Sequence, residues 1–239
     1  DKFTTKLLKL SGTEFSVIFL SLIGGYPIGA QTIASTWKEN NLSTISARRM
    51  LGFCSNAGPS FLFGMGAALF NNTSYVWIIW FIHIISALLV GMILPDKQKE
   101  SGAVLTQRSV TAVTALKTSI QVMSRICGWV VLFKILLTFL NQWILCYFPM
   151  TIRVLIIGFI ELSNGFISTN LITNLGLRII IIAMIVGFGG LSVLFQTLSV
   201  ADRLGIGYYF PGKIMQSVIS FLMAYIVQLM IMPADESII

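Results

Sequence analysis

Charge is what this chain has least of. Only 10% of its 239 residues are Asp, Glu, Lys or Arg, against 56% hydrophobic, and His83 is its one histidine. With a mean hydropathy of +0.86 the chain is too apolar for a soluble fold of this size. Three cysteines, Cys54, Cys127 and Cys146, are odd in number and far apart, with no Cys-x-x-Cys or Cys/His spacing. They read as small apolar packing residues, and no metal site is expected. Gly190-Leu191-Ser192-Val193 lacks the second glycine of an intramembrane serine protease motif, and His83 lies in the other half of the chain. Gly187-Phe188-Gly189-Gly190 lacks the Asp of intramembrane aspartyl proteases, and no phosphate loop occurs. These absences weigh against an enzyme and against a cofactor. No secretory signal is visible, because Lys2, Lys6 and Lys9 precede a segment with Glu14 and no small-residue cleavage pattern.

What is present is a series of apolar runs near the roughly 20 residues needed to cross a bilayer. Tyr75 to Leu94, Ser119 to Leu140, Ile152 to Asn170 and Ile214 to Met232 read as spans. Ile179 to Val200, Thr13 to Ile33 and Leu51 to Phe70 are equally apolar but broken by glycine or proline. The expected fold is an all-α polytopic membrane protein of about seven membrane segments, with broken or re-entrant helices and two related halves. Residues 1–94 form the first half, residues 95–117 a polar cytoplasmic linker and interfacial helix, and residues 118–239 the second half. The chain opens on Asp1, and the first half has no counterpart to the span carrying Glu161, so a missing amino-terminal portion is expected.

Net charge is +7, with Lys and Arg mainly between apolar runs. This is the positive-inside pattern, not a nucleic-acid surface. Lys38, Arg48 and Arg49 mark one cytoplasmic loop and Lys97, Lys99, Arg108 and Lys117 another, leaving the Asn71 to Ser74 turn outside. If Thr13 to Ile33 and Ile179 to Val200 both dip in and return, Arg203 and Lys213 also fall inside. If both cross, the halves become inverted repeats.

The most informative segment is Gly24-Gly25-Tyr26-Pro27-Ile28-Gly29-Ala30-Gln31, with a weaker echo in Gly189-Gly190 and Gln196-Thr197-Leu198. Unwound backbone at membrane depth survives only where protein or a water-filled cavity covers it, and paired interruptions point to a transporter's substrate site. Gly24 to Gln31 and Gly187 to Gln196 are therefore expected to be non-helical at mid-membrane and to approach each other. Glu161 is the sharpest single residue, since a carboxylate within a span faces a cavity, pairs with a cation or relays protons. On a helix it shares a face with Asn164 and Ser168. Proton coupling or gating by Glu161, Asn164 and Lys134 is the functional reading, and a buried ion pair of Glu161 with Lys134 or Arg125 is the structural one. His83 reads as a satisfied packing residue.

Four ordered stretches carry a family resemblance. Gly25 to Ala30, then Ala47-Arg48-Arg49-Met50-Leu51 with Phe53 to Phe61, then Glu161 to Gly165, then Gly187 to Val193, resemble the sporulation integral membrane protein YlbJ family of spore-forming Firmicutes. The resemblance runs from about Leu20 to Met230. Family members are longer at the amino terminus. The wider group carries the gate, or nucleoside-recognition, domain shared with concentrative nucleoside transporters and ferrous iron transport protein B. The resemblance implies a stage V sporulation protein that moves dipicolinic acid across the outer forespore membrane.

Dipicolinate is a flat dianion, so its site needs positive potential without a buried unpaired cation, which helix N-termini at chain breaks supply. The expected substrate residues are Gly24, Gly25, Tyr26, Pro27, Gln31, Asn56, Gly189, Gly190, Ser192 and Gln196. Tyr26 would stack on a planar ring, the amides would bond the carboxylates, and Lys134 is the deeper counter-charge. Expected partners are a small anionic solute and the lipid bilayer, and a homo-oligomer fits the same reading. Alternatives are a carrier of nucleosides or another small polar solute, and a non-transporting sporulation membrane scaffold.

Overall fold

The computed structural model describes residues 12–95 and 111–231, which are helical with short connections and contain no strand. Four helical stretches are long and apolar enough to cross a bilayer: Ser74–Ile93, Ala112–Trp143, Leu175–Ala201 and Tyr209–Met230. Their length and composition make the chain an integral membrane protein. Lys97, Lys99 and Arg108, with most of the expected linker, lie outside the described residues, as do Lys2, Lys6 and Lys9.

Between the long helices the chain is repeatedly interrupted. Helices α1 (Gly12–Gly24) and α2 (Ile28–Lys38) are separated by Gly25-Tyr26-Pro27. Gly25 has φ +71°, a left-handed value that glycine adopts without penalty, and it turns the chain back on itself. The reversal shows at Gly29, where a Cβ would lie 3.0 Å from the Cβ of Ser21. In a straight helix residues with that separation, 29 − 21 = 8, stand about 12 Å apart.

Helices α3 (Thr44–Cys54) and α4 (Pro59–Leu69) follow, then α5 (Ser74–Ile93) and α6 (Ala112–Trp143). Pro59 opens α4, where its missing N–H leaves no bond unmade. Next come α7 (Met150–Ile160) and α8 (Leu162–Ser168), which also fold back, so closely that a Cβ on Gly165 would overlap the backbone of Gly158. Helices α9 (Leu175–Phe188) and α10 (Gly190–Ala201) form one interrupted 27-residue span, and α11 (Tyr209–Ile231) ends the described chain.

Three expectations change here. Neither broken segment is unwound over its whole expected length: helix runs up to Gly24 and resumes at Ile28, and runs up to Phe188 and resumes at Gly190. Positive φ at Gly25, Gly189 and Gly190 is enough to interrupt the helix. The segments 13–33 and 179–200 also behave differently from one another, the first returning and the second continuing. Ile152 to Asn170 is not a continuous span but the second returning hairpin. Its break falls at Glu161, whose backbone is extended at φ −140°, ψ 116°.

One end of the bundle is tied by arginine. The buried Arg49 donates from Nη2 to the Gly91 carbonyl at 2.6 Å and from Nε to Leu94 at 3.2 Å, satisfying carbonyls at the end of α5. Arg48 donates from Nε to the Leu204 carbonyl. Below these contacts Ala30, Ile33, Met50, Leu51 and Phe53 form one apolar core, and Leu62, Ile79, Val154, Ile182 and Ile185 form another.

Candidate functional site

The breaks meet in space. Gly25 rests on the α3–α4 interruption, where a Cβ would lie 2.6 Å from the Gly58 nitrogen. Gly190, at φ +83°, rests on the tip of the second hairpin, where a Cβ would lie 3.1 Å from the Leu162 nitrogen. Tyr26 joins the two pairs: its hydroxyl donates to the Val186 carbonyl at 3.4 Å and stands against Gly189. Two hairpin tips thus face two helix breaks across backbone contacts that only glycine permits.

At their meeting point lies a cavity of about 140 Å³. Gly24, Gly25 and Tyr26 line it from the first hairpin, and Glu161, Leu162 and Ser163 from the second. Gly58, Ser60 and Phe61 contribute from the start of α4, and Val193 and Gln196 from α10, with α6 closing one side through Ile126 and Val130. Among the described residues Glu161 is the one ionisable carboxylate on this wall. Gln196 is nearly buried at 4% exposure, and its amide makes no hydrogen bond to another described residue, so it is available to a ligand.

Glu161 is held as a helix cap. Its carboxylate accepts from the Ser163 N–H at 3.1 Å and the Asn164 N–H at 2.7 Å, and also from the Asn164 amide nitrogen. Asn164 in turn accepts from the Lys134 ammonium through its other amide atom. Glu161, Asn164 and Lys134 therefore form one chain of hydrogen bonds. This replaces the direct ion pair expected of Glu161 with Lys134 or Arg125; Arg125 instead donates to the Ser199 carbonyl at 3.4 Å. It also replaces the shared helical face, since Glu161 precedes the first turn of α8 and does not lie within it.

Not every expected residue reaches the cavity. Gln31 is a turn inside α2, Pro27 precedes that helix, and Gly189 and Gly190 lie behind the wall as backbone spacers. The Ser192 hydroxyl is fully buried without a partner among the described residues and does not line the wall.

Asn56 belongs to a second, fully buried cluster that sequence reasoning missed. Its side-chain oxygen accepts from Lys213 Nζ at 3.3 Å and from Gln216 Nε2 at 3.0 Å, while Lys213 also donates to Gln216 at 2.8 Å. His83 accepts from the Ala57 N–H at 3.0 Å, satisfying a donor freed by the break, as a packing histidine should. Lys213 was expected just outside the Ile214 to Met232 span, on the cytoplasmic side if both broken segments return. Instead it sits inside α11, which begins at Tyr209 and carries Pro211 in its first turn, where proline is tolerated. Its ammonium lies 5.6 Å from the Tyr26 ring, behind the cavity wall.

The four stretches that carried the family resemblance form these four breaks, and comparison with known proteins agrees with it. The chain is similar to the sporulation integral membrane protein YlbJ of Bacillus subtilis (strain 168). The two are 20% identical over an alignment of 263 residues, which takes in 91% of this chain and 64% of YlbJ. The chain thus spans about 64% of the length of the curated relative it matches. The resemblance to the YlbJ family is borne out. No family model matches the chain, and no solved structure does.

Proposed function

We propose that the protein is a carrier, not an enzyme, that moves a small planar anion through the cavity between the two hairpin tips. Dipicolinate, imported into the forespore across the outer forespore membrane during sporulation, is the leading substrate. The observation that carries this is the convergence of four helix interruptions around one cavity with Glu161 and Gln196 on its wall. Membrane proteins place irregular backbone where it lines a solute path. On this reading there are about seven membrane segments, and the order hairpin, broken helix, unbroken helix occurs twice. The first set is α1/α2, α3/α4 and α5, the second is α7/α8, α9/α10 and α11, and α6 stands between them.

The chemistry favours a flat solute with acceptor oxygens. Ser60 lies in the first turn of α4, where its N–H and the helix dipole attract negative charge. Tyr26 offers a ring face and Gln196 an unused amide. Glu161 repels a dianion at close range. Dipicolinate is therefore carried with a proton, and the chain from Glu161 through Asn164 to Lys134 is the coupling element.

A second reading, a nucleoside or another neutral polar solute, draws on the same fact: among the described residues Glu161 is the only ionisable carboxylate on the wall, and no Lys, Arg or His joins it. Uptake of radiolabelled dipicolinate and of nucleosides into liposomes holding the full-length protein decides between them. Proton-dependent dipicolinate uptake supports the first reading and nucleoside uptake the second. Transport of neither, with normal dipicolinate content in spores lacking the protein, leaves a membrane scaffold.

A further inference from the structure

The positive charge missing from the central cavity is found next door. A larger cleft, about 450 Å³, opens between α6 and the second hairpin and is lined by Lys134, Thr138, Asn141, Gln142, Arg153 and Asn164, among others. Among the described residues no acidic side chain lines it. Arg153 donates from Nε to Asn141 at 2.7 Å, and no other bond of its five-donor fork is found among the described residues. Lys134 uses one of its three donors on Asn164.

The cleft has a definite place in the fold. The first part of α6 lies at the arginine-tied end, because Arg125 reaches Ser199 near the end of α10, and α10 leads to Leu204, which holds Arg48. Asn141 and Gln142, at the far end of the same helix, therefore mark the opposite end of the bundle. The cleft runs from there towards the hairpin tip and stops one hydrogen bond short of Glu161, at Asn164.

We propose that this cleft is a second anion-binding site, a vestibule that captures small carboxylate anions through Lys134 and Arg153 on the side opposite the arginine-tied end. This rests on the carrier reading. Two cations in a concave, partly enclosed site focus potential and raise the local concentration of anions. Arg153 supplies a planar fork that matches a carboxylate, and Lys134 a point charge. An anion held by Lys134 draws that ammonium away from Asn164, so occupancy of the vestibule is felt at Glu161.

The test is binding of radiolabelled pyridine-2,6-dicarboxylate to the full-length protein in phosphatidylcholine nanodiscs, with uptake measured in parallel in liposomes. Lys134→Gln and Arg153→Gln should each weaken binding by about tenfold and flatten its dependence on salt. Lys134→Arg, which keeps the charge, should stay within about threefold of the parent, and Arg153→Lys, which keeps the charge but loses the fork, should fall between the parent and Arg153→Gln. Wild-type affinity and salt dependence in both neutral variants overturn the vestibule, while loss of uptake in Gln196→Leu in the same experiment leaves the carrier reading standing. Absence of both binding and uptake in the wild-type protein removes both readings for this anion. Nanodiscs containing phosphatidylglycerol distinguish a lipid headgroup from a soluble anion. Displacement of the dicarboxylate by that lipid, lost in both neutral variants, assigns the cleft to lipid and overturns the proposal.

Discussion

Substituting Gly25 by Ala tests whether contact between hairpin tip and helix break holds the site together. Two penalties follow from the geometry. At φ +71° an L-residue is in the left-handed region, which costs about 1–2 kcal/mol. The added Cβ would also lie 2.6 Å from the nitrogen and 2.8 Å from the Cα of Gly58, both backbone atoms that no side-chain rotation can move aside. Forcing them apart is overpacking, about 1–3 kcal/mol. The sum, about 2–5 kcal/mol, corresponds to a fall of roughly 4–20 °C in the unfolding midpoint on the scale of globular domains. Gly64→Ala is the control, since a Cβ there meets nothing within 4 Å and an interior helix position gains about 0.5–1 kcal/mol from the change. Thermal unfolding in detergent, followed by size-exclusion chromatography with fluorescence detection, reads both, and liposome uptake reads function. Gly25→Ala with the wild-type midpoint and wild-type uptake would refute the reasoning.

Glu161→Gln keeps the shape of the cap but turns an amide nitrogen towards backbone donors, so about 1 kcal/mol of stability should go; uptake should also lose its pH dependence, and an unchanged profile would remove proton coupling through this residue. Gln196→Leu should weaken solute binding about 10- to 100-fold by deleting a hydrogen bond to a charged group. Gln31→Leu, off the cavity wall, should change it less than twofold in the same titration. Lys213→Ala leaves the Gln216 oxygen without its donor and opens a hole behind Tyr26, so a loss of about 2–5 kcal/mol is expected in the same melting assay.

Some of this was legible because membrane chemistry writes loudly. Apolar length announced α5, α6 and α11, and the glycines at Gly25 and Gly189 marked two breaks because few other residues tolerate positive φ. The break at Glu161 was invisible to periodicity: Ile152 to Ile160 and Leu162 to Ser168 each read as helix, and only the bonds from Ser163 and Asn164 reveal that the carboxylate caps rather than joins them. Lys213 was hidden for the opposite reason. A lysine beside Pro-Gly has the composition of a loop, and the Asn56 and Gln216 groups that receive it lie far away in sequence or one turn later on the same helix. Gln31 and Gln196 looked equivalent by spacing from their glycines. They differ because one break reverses the chain and the other lets it continue.

The returning hairpins set a constraint on how the protein is made. Helix α7 has 11 residues, short of the roughly 20 that hold a helix across lipid. The hairpin tips also expose backbone that lipid cannot satisfy until Gly58 and Gly190 arrive to cover it. Neither tip is covered by its own hairpin. Each depends on the broken helix that follows it in the chain, so the cavity between the tips is complete only once those helices are in place.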